Sequence, residues 1–173
     1  MKTYCKCCGN TYPNDDELAF HFWAVEAKEH GIIKEWRHQF PTFDLSGKMP
    51  FLKYSKKTGK VRKTYLGKHT YTPDFSISDP SDALYGMLPE LRPEIWQEGT
   101  HYFDVKPKFE KYHSRTEAFR NNQKWLKSKH GVFVHPVVPK DFFHRTWIPE
   151  KLAFCLNGKR RKPFAKCKLV GDI

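Results

Sequence analysis

The chain has 173 residues, 39% of them hydrophobic and 16% aromatic, so it is long and apolar enough for one folded domain with its own core and is not a disordered tail. Lys and Arg number 31 against 19 acids, a formal charge of +12, which points to a polyanionic partner. No run reaches transmembrane length, Met1-Lys2-Thr3-Tyr4-Cys5 lacks an apolar signal core, and five cysteines are an odd set for a disulfide framework; the expected setting is cytoplasmic, with no membrane partner.

Residues 1–13 read as a Cys-rich N-terminal cap around Cys5, Cys7 and Cys8. A helix is predicted over 15–30. Asn14 is a good N-cap, Glu17 stands three residues on as in a capping box, and Gly31 is a stop. Leu18, Phe22 and Val25 repeat at helical spacing inside it. Residues 32–45 alternate loosely and read as one strand. The runs 51–54 and 60–66 flank Ser55-Lys56-Lys57-Thr58-Gly59, a hairpin signal. A further strand is predicted over 69–77 and carries Pro73-Asp74 at its end. Residues 78–100 hold five acids and one arginine and read as an acidic insert, a loop with one helical turn. The next strand is 102–106, which Pro107 ends. A second long helix is predicted over 114–130, stopped by Gly131, and the apolar run 132–138 reads as a buried strand reached by a β–α–β crossover. Residues 141–173 read as a basic C-terminal extension in which Trp147-Ile148-Pro149-Glu150 opens a short helix. The core is thereby placed at 14–140.

The positive charge is concentrated. Residues 46–72 carry eight Lys or Arg and no acid, and 151–173 carry seven against Asp172. Two basic regions flanking a carboxylate site suit a phosphate-tracking surface. Lys56, Lys57, Lys60, Arg62, Lys63, Lys108, Arg160 and Arg161 are the candidate DNA-binding residues.

Two carboxylates and a lysine dominate the chemistry. Pro73-Asp74 ends one predicted strand, and Asp104-Val105-Lys106 lies in another. Residues two apart on a strand share a face, so Asp104 and Lys106 point the same way. Such a group can hold a hard divalent cation and polarise a water, the chemistry of metal-assisted phosphodiester hydrolysis. These motifs, in this order and with β-rich flanks, resemble the PD-(D/E)XK nuclease superfamily. The resemblance covers about residues 14–138. It implies an α/β fold with a restriction-endonuclease-like core, a mixed central sheet flanked by helices. It also implies Glu17, Asp74, Asp104 and Lys106 as catalytic residues, with Glu17, Asp74, Asp104 and Val105 around Mg²⁺ or Mn²⁺. Glu26 is the alternative to Glu17. Gln123 matches a helix glutamine that orients substrate or water in some members.

His69-Thr70-Tyr71-Thr72-Pro73-Asp74-Phe75 resembles the matching strand of phage endonuclease I, a Holliday-junction resolvase family, although the acidic insert makes the following interval longer here. Trp36-Arg37-His38-Gln39-Phe40-Pro41 looks like restriction-like transposase subunits. The resemblance therefore implies a DNA endonuclease of phage type, acting on branched or junction DNA in the host cytoplasm and working as a homodimer. A non-catalytic, basic, zinc-stabilised DNA-binding protein is a competing expectation, as is a phage factor that binds a host protein through the insert.

A second metal is suggested by Cys5-x-x-Cys8 followed, after twelve intervening residues, by His21. Cys155 and Cys167 could instead complete the set by folding back. His21 stands one helical turn after Glu17, so a zinc ligand there would crowd a magnesium ligand. That favours Cys155 and Cys167 over His21 as the missing pair of a structural zinc site.

Overall fold

The computed structural model describes residues 2–5, 8–92, 99–106 and 114–173. Strands β1 (Thr3–Tyr4) and β2 (Thr11–Tyr12) pair antiparallel and lead into helix α1 (Asp15–Glu29). Local chemistry starts α1 where the sequence predicts. The Asn14 side-chain oxygen accepts from the Glu17 N–H at 2.9 Å, and the Asn14 amide donates to Glu17 Oε1 at 2.9 Å. Asp15, Asp16 and Glu17 complement the positive end of the helix dipole. At the other end Gly31 takes φ +68°, and the Ile32 and Ile33 N–H groups both turn back to the Ala27 carbonyl.

The run 32–45, expected as one strand, is two. β3 (Glu35–His38) ends where Gln39 adopts φ +50°, and β4 (Phe43–Ser46) pairs elsewhere. Positive φ turns the chain out of the ladder, and Pro41 has no N–H to offer one. β5 (Met49–Ser55) and β6 (Lys60–Leu66) form a regular antiparallel ribbon that pairs with no other strand among the described residues. The predicted strand 69–77 is also divided. β7 (His69–Tyr71) pairs with β4, and β8 (Phe75–Ser78) enters the central sheet. Pro73 between them cannot donate to either ladder.

The acidic insert is more than a loop. It forms α2 (Asp82–Met87) and a 3-10 turn (Pro89–Leu91), and Leu84, Leu88 and Leu91 are buried in the main core. β9 (Thr100–Val105) follows. Helix α3 (Ser114–His130) has the predicted bounds, with Gly131 at φ +70° after it. It leads to β10 (Val134–Val137), then α4 (Pro139–Arg145) and α5 (Glu150–Ala153). The central sheet runs β10-β9-β8-β3, with β10 parallel to β9 and the other pairs antiparallel. The parallel pair is joined through α3, the crossover that parallel neighbours require.

Strand alternation divides the sheet into two faces. Phe75, Ile77, Phe103, Val105 and Val137 belong to the larger core, with Phe20, Trp23, Ala24 and Ala27 of α1. Tyr102 and Val134 belong to a second core with Leu126 and Phe119 of α3, Leu45 and Tyr71. The protein is thus a mixed α/β domain with a mixed sheet flanked by helices. Both ends of the chain join it. Cys5 and Tyr12 lie in the larger core, and so do Trp147, Ile148, Ala153 and Cys167. The segment 141–173, expected as an extension outside the core, therefore closes one side of it. Its eight Lys and Arg residues mask a minority of large apolar side chains that decide its place. No helix among the described residues is long and apolar enough to cross a membrane.

Candidate functional site

The acidic site grows out of the β8–β9 register. Phe75 stands opposite Phe103 with both rings in the larger core. One step further along brings Asp74 alongside Asp104 on the other face. Asp74 lies just outside the last ladder pair, and its carboxylate replaces a backbone acceptor there: the Val105 N–H donates to Asp74 Oδ2 at 2.7 Å. Its own carbonyl accepts from the Gln39 N–H at 2.8 Å. Asp104 is 4% exposed. Lys106, two residues on and on the same face, brings Nζ to 2.5 Å from Asp104 Oδ2, while its backbone N–H donates to the Val137 carbonyl.

This grouping perturbs Asp74. Burial first, then the charge and contact of Asp104, then the charge of Glu17, hold its pKa well above the usual carboxylate range; Lys106 opposes them. Tyr71 is drawn into the same cluster. Burial and then the Asp104 charge raise its hydroxyl pKa, Asp74 adds to this, and the hydroxyl has no well-formed hydrogen bond. Glu17 is buried at the start of α1, with Oε2 at 3.4 Å from His38 Nε2. His38 is brought there by its place opposite Phe75 in the β3–β8 pair. Glu17 therefore both completes the helix cap and contributes charge to the carboxylate site.

The remaining candidates divide. Glu26 accepts from the Glu150 N–H at 2.7 Å, so it ties α1 to the start of α5 rather than facing Asp74. Gln123 is occupied at both ends: its amide donates to the Val134 carbonyl at 2.8 Å and its oxygen accepts from the Val134 N–H at 3.0 Å. It clamps the backbone of edge strand β10. The Arg160 guanidinium donates to the Cys167 carbonyl, and Arg161 Nε donates to the Phe154 carbonyl at 3.3 Å. Both arginines staple the C-terminal segment to itself. Lys56, Lys57, Lys60, Arg62 and Lys63 stand on the exposed β5–β6 ribbon, and Lys108 lies outside the described residues. Tyr71 was legible as an aromatic near the site, three residues before Asp74 in the same extended run; His38 was not among the sequence candidates and had no signal short of strand register.

A separate corner gathers Cys5, Cys8 and His21, whose ligand atoms all lie within 4.8 Å of one another. Among the described residues, no other three Cys, His, Asp or Glu side chains converge as closely. The turn between β1 and β2 presents the cysteines. The Cys5 N–H donates to the Asn10 carbonyl at 2.9 Å, and Gly9 at φ +73° donates back to the Cys5 carbonyl at 3.0 Å. Burial, then the charges of His38 and Lys151, push His21 down to about 4, so at neutral pH its ring is the uncharged form that ligates metals. This cluster could hold a metal ion. Cys155 and Cys167, the favoured completing pair on sequence grounds, are not in it: Cys155 is exposed, and Cys167 Sγ sits 3.4 Å from His144 Nδ1. His21 and Glu17 have different neighbours, and Glu17 Oε2 lies 3.4 Å from His38 Nε2. The Tyr12 ring lies 5.0 Å from His21 and 4.7 Å from His38, and the two α1 side chains turn to different partners around it. Cys7 lies outside the described residues.

Comparison with known proteins finds no matching family model, no matching curated protein and no matching solved structure.

Proposed function

We propose that the chain is a divalent-metal-dependent DNA endonuclease with a PD-(D/E)XK, restriction-endonuclease-like core. The carrying observation is the pairing of Asp74 and Asp104 at the open end of β8 and β9, with the Lys106 ammonium 2.5 Å from Asp104. Two buried like charges repel, and a cation between them relieves the repulsion. The donors are hard oxygens, which suit Mg²⁺ or Mn²⁺ better than zinc. Asp74 and Asp104 would hold the ion, with Glu17 and Val105 nearby as the further ligands that the resemblance implies. The ion supplies charge for the scissile phosphate and an acidified water.

The chain's own groups do the rest. Lys106 places a positive charge where the phosphoryl oxygens gain negative charge in the transition state. His38 and Asn14 hold the Glu17 carboxylate in place. As the water oxygen bonds to phosphorus, the bond to the 3′ oxygen breaks. The water loses its proton and the 3′ oxygen gains one, leaving a 5′-phosphate and a 3′-hydroxyl. Branched or junction DNA is the substrate, and a homodimer the working form, that the resemblance to junction resolvases supports. The Cys5, Cys8 and His21 corner holds a structural zinc in this reading.

That corner, with the +12 charge, also favours a second reading: a zinc-stabilised DNA-binding protein without catalysis. Incubation with duplex, nicked, forked and four-way DNA in Mg²⁺, Mn²⁺ or EDTA separates the two. The endonuclease reading requires metal-dependent cutting that Asp74→Asn and Asp104→Asn abolish while DNA binding persists. Intact DNA in every lane with manganese present sinks it and leaves the binding protein.

A further inference from the structure

The β5–β6 ribbon inverts the usual distribution of side chains. Seven residue pairs, from Met49 opposite Leu66 to Ser55 opposite Lys60, run without a bulge, giving an arm about 23 Å long at ~3.3 Å per residue. Its large apolar side chains stand in solvent: Leu52 is 72% exposed, Tyr54 61% and Val61 59%. An isolated two-stranded ribbon gains little stability alone, and this one has no third strand among the described residues. Alternation gives the arm two faces. Leu52, Tyr54, Val61 and Tyr65 share one with Lys63; Lys53, Lys60 and Arg62 share the other, beside Phe51 at its base. Lys56 and Lys57 sit in the turn at the tip, where Gly59 at φ +60° closes the loop onto the Ser55 carbonyl.

We infer that this ribbon is an arm that lies in a groove of duplex DNA. Charge selects the occupant: the stretch 46–72 has eight cations and no acid, so its complement is a polyanion. The same charge works against a second copy of the arm, since two such ribbons laid edge to edge would bring like charges together. Width agrees, because a two-stranded ribbon fits the major groove of about 12 Å. Lys53, Lys60 and Arg62 reach phosphates, while Leu52, Tyr54 and Val61 meet sugars and base edges that water would otherwise cover. The inference deepens the endonuclease reading by naming what holds the duplex while the carboxylates act, and it depends on that reading only for the identity of the polymer.

The test is fluorescence anisotropy in EDTA, where nothing is cut, with a labelled duplex about two helical turns long. The basic variant combines Lys53→Ala, Lys60→Ala and Arg62→Ala. It should weaken binding at least tenfold and lower the slope of log affinity against log salt by about 2.7, at ~0.9 per phosphate contact. The apolar variant combines Leu52→Ser with Tyr54→Ser, and should weaken binding several-fold with the slope unchanged. All five positions are on the exposed ribbon, and circular dichroism checks the fold. Wild-type affinity in both variants overturns the inference. So does sedimentation that shows a change of oligomeric state while affinity per protomer stands, since the arm would then serve a second copy. If the wild type cuts no DNA the endonuclease reading fails, and the arm is still judged by anisotropy alone.

Discussion

The carboxylate site and the β5–β6 ribbon are mirror images in physical terms. At the first, charge is buried: Asp104 is 4% exposed, with Asp74 beside it and Glu17 at 5%. At the second, apolar side chains are exposed on a ribbon that pairs with no further strand among the described residues. Folding alone favours neither arrangement, because buried like charges repel and exposed leucine or tyrosine gains no burial. The proposed additions are a cation at the carboxylates and a polyanion at the ribbon. The difference lies in support. The carboxylates are held by the registers of β8 and β9 and by the cap of α1, whereas the ribbon is held by its own ladder.

The largest expected effect tests the buried half. Asp74→Asn or Asp104→Asn should lower metal-dependent cleavage at least ~1000-fold in a gel assay. In metal-free buffer, Asp74→Asn should at the same time raise the melting temperature by a few degrees. Asp74 has a folded pKa raised by burial and Asp104, so the native state holds a proton that the unfolded chain releases, and wild-type stability falls as pH rises from the usual carboxylate range upward. A lower melting temperature for Asp74→Asn would break the like-charge account. Next, Lys106→Ala should slow cleavage by about 100-fold or more and also reduce stability, because it leaves buried Asp104 without its cation. A rate close to wild type would remove Lys106 from the chemistry.

The third effect is thermal. On the structural-zinc proposal, chelation, or Cys8→Ser, should lower the melting temperature by several degrees through the Cys5, Cys8 and His21 corner. Cys155→Ser should leave it unchanged, since Cys155 is exposed and apart from that corner. Equal effects would contradict the ligand set. The fourth is acid sensitivity. His101 and His135 face each other across β9 and β10, with ring centroids 6.2 Å apart and Tyr85 close by. Burial lowers both to about 4; for His135 the charge of His101 adds to this and Glu90 opposes it. The unfolded chain takes up these protons first, so the stabilisation present above about 6.5 is lost as pH falls toward 4. His101→Gln should flatten that decline in a thermal-shift series. The smallest effect belongs to the ribbon: Leu52→Ser should move the melting temperature by no more than about 1 °C, as an exposed side chain on a free ladder. A large drop would show that the ribbon packs against something.

Much of the secondary structure was legible because its causes are local. The start of α1 is set by Asn14 and Glu17, three residues apart, and its end by Gly31. The bounds of α3 and the existence of the ribbon follow from turn residues and periodicity in the same way. Strand ends were less legible. Gln39 and Pro73 divided two predicted strands, because positive φ at a non-glycine residue and the choice of pairing partner depend on neighbours far along the chain. Burial within charged segments was missed for a different reason. Leu84, Leu88 and Leu91 in the acidic insert, and Trp147 and Ile148 near the basic end, are diluted in composition yet decisive in packing.

The same division runs through the candidate sites. The sequence by itself established a basic α/β chain with two strand-end carboxylates, a lysine two residues on, and a Cys-x-x-Cys turn, since these depend on residue type and short spacing. The resemblance put Glu17 ahead of Glu26 and crowding along the helix put Cys155 and Cys167 ahead of His21, but neither could show what those side chains or Gln123 touch. The tertiary structure shows their partners. Burial of Phe75 against Phe103 sets a register that draws Asp74 to Asp104. The same packing turns Glu26 toward Glu150, leaves Cys167 beside His144, and gives Gln123 to the backbone of β10. A two-residue period aims a side chain at one face of a sheet; which partner waits there is set by how the strands and helices pack.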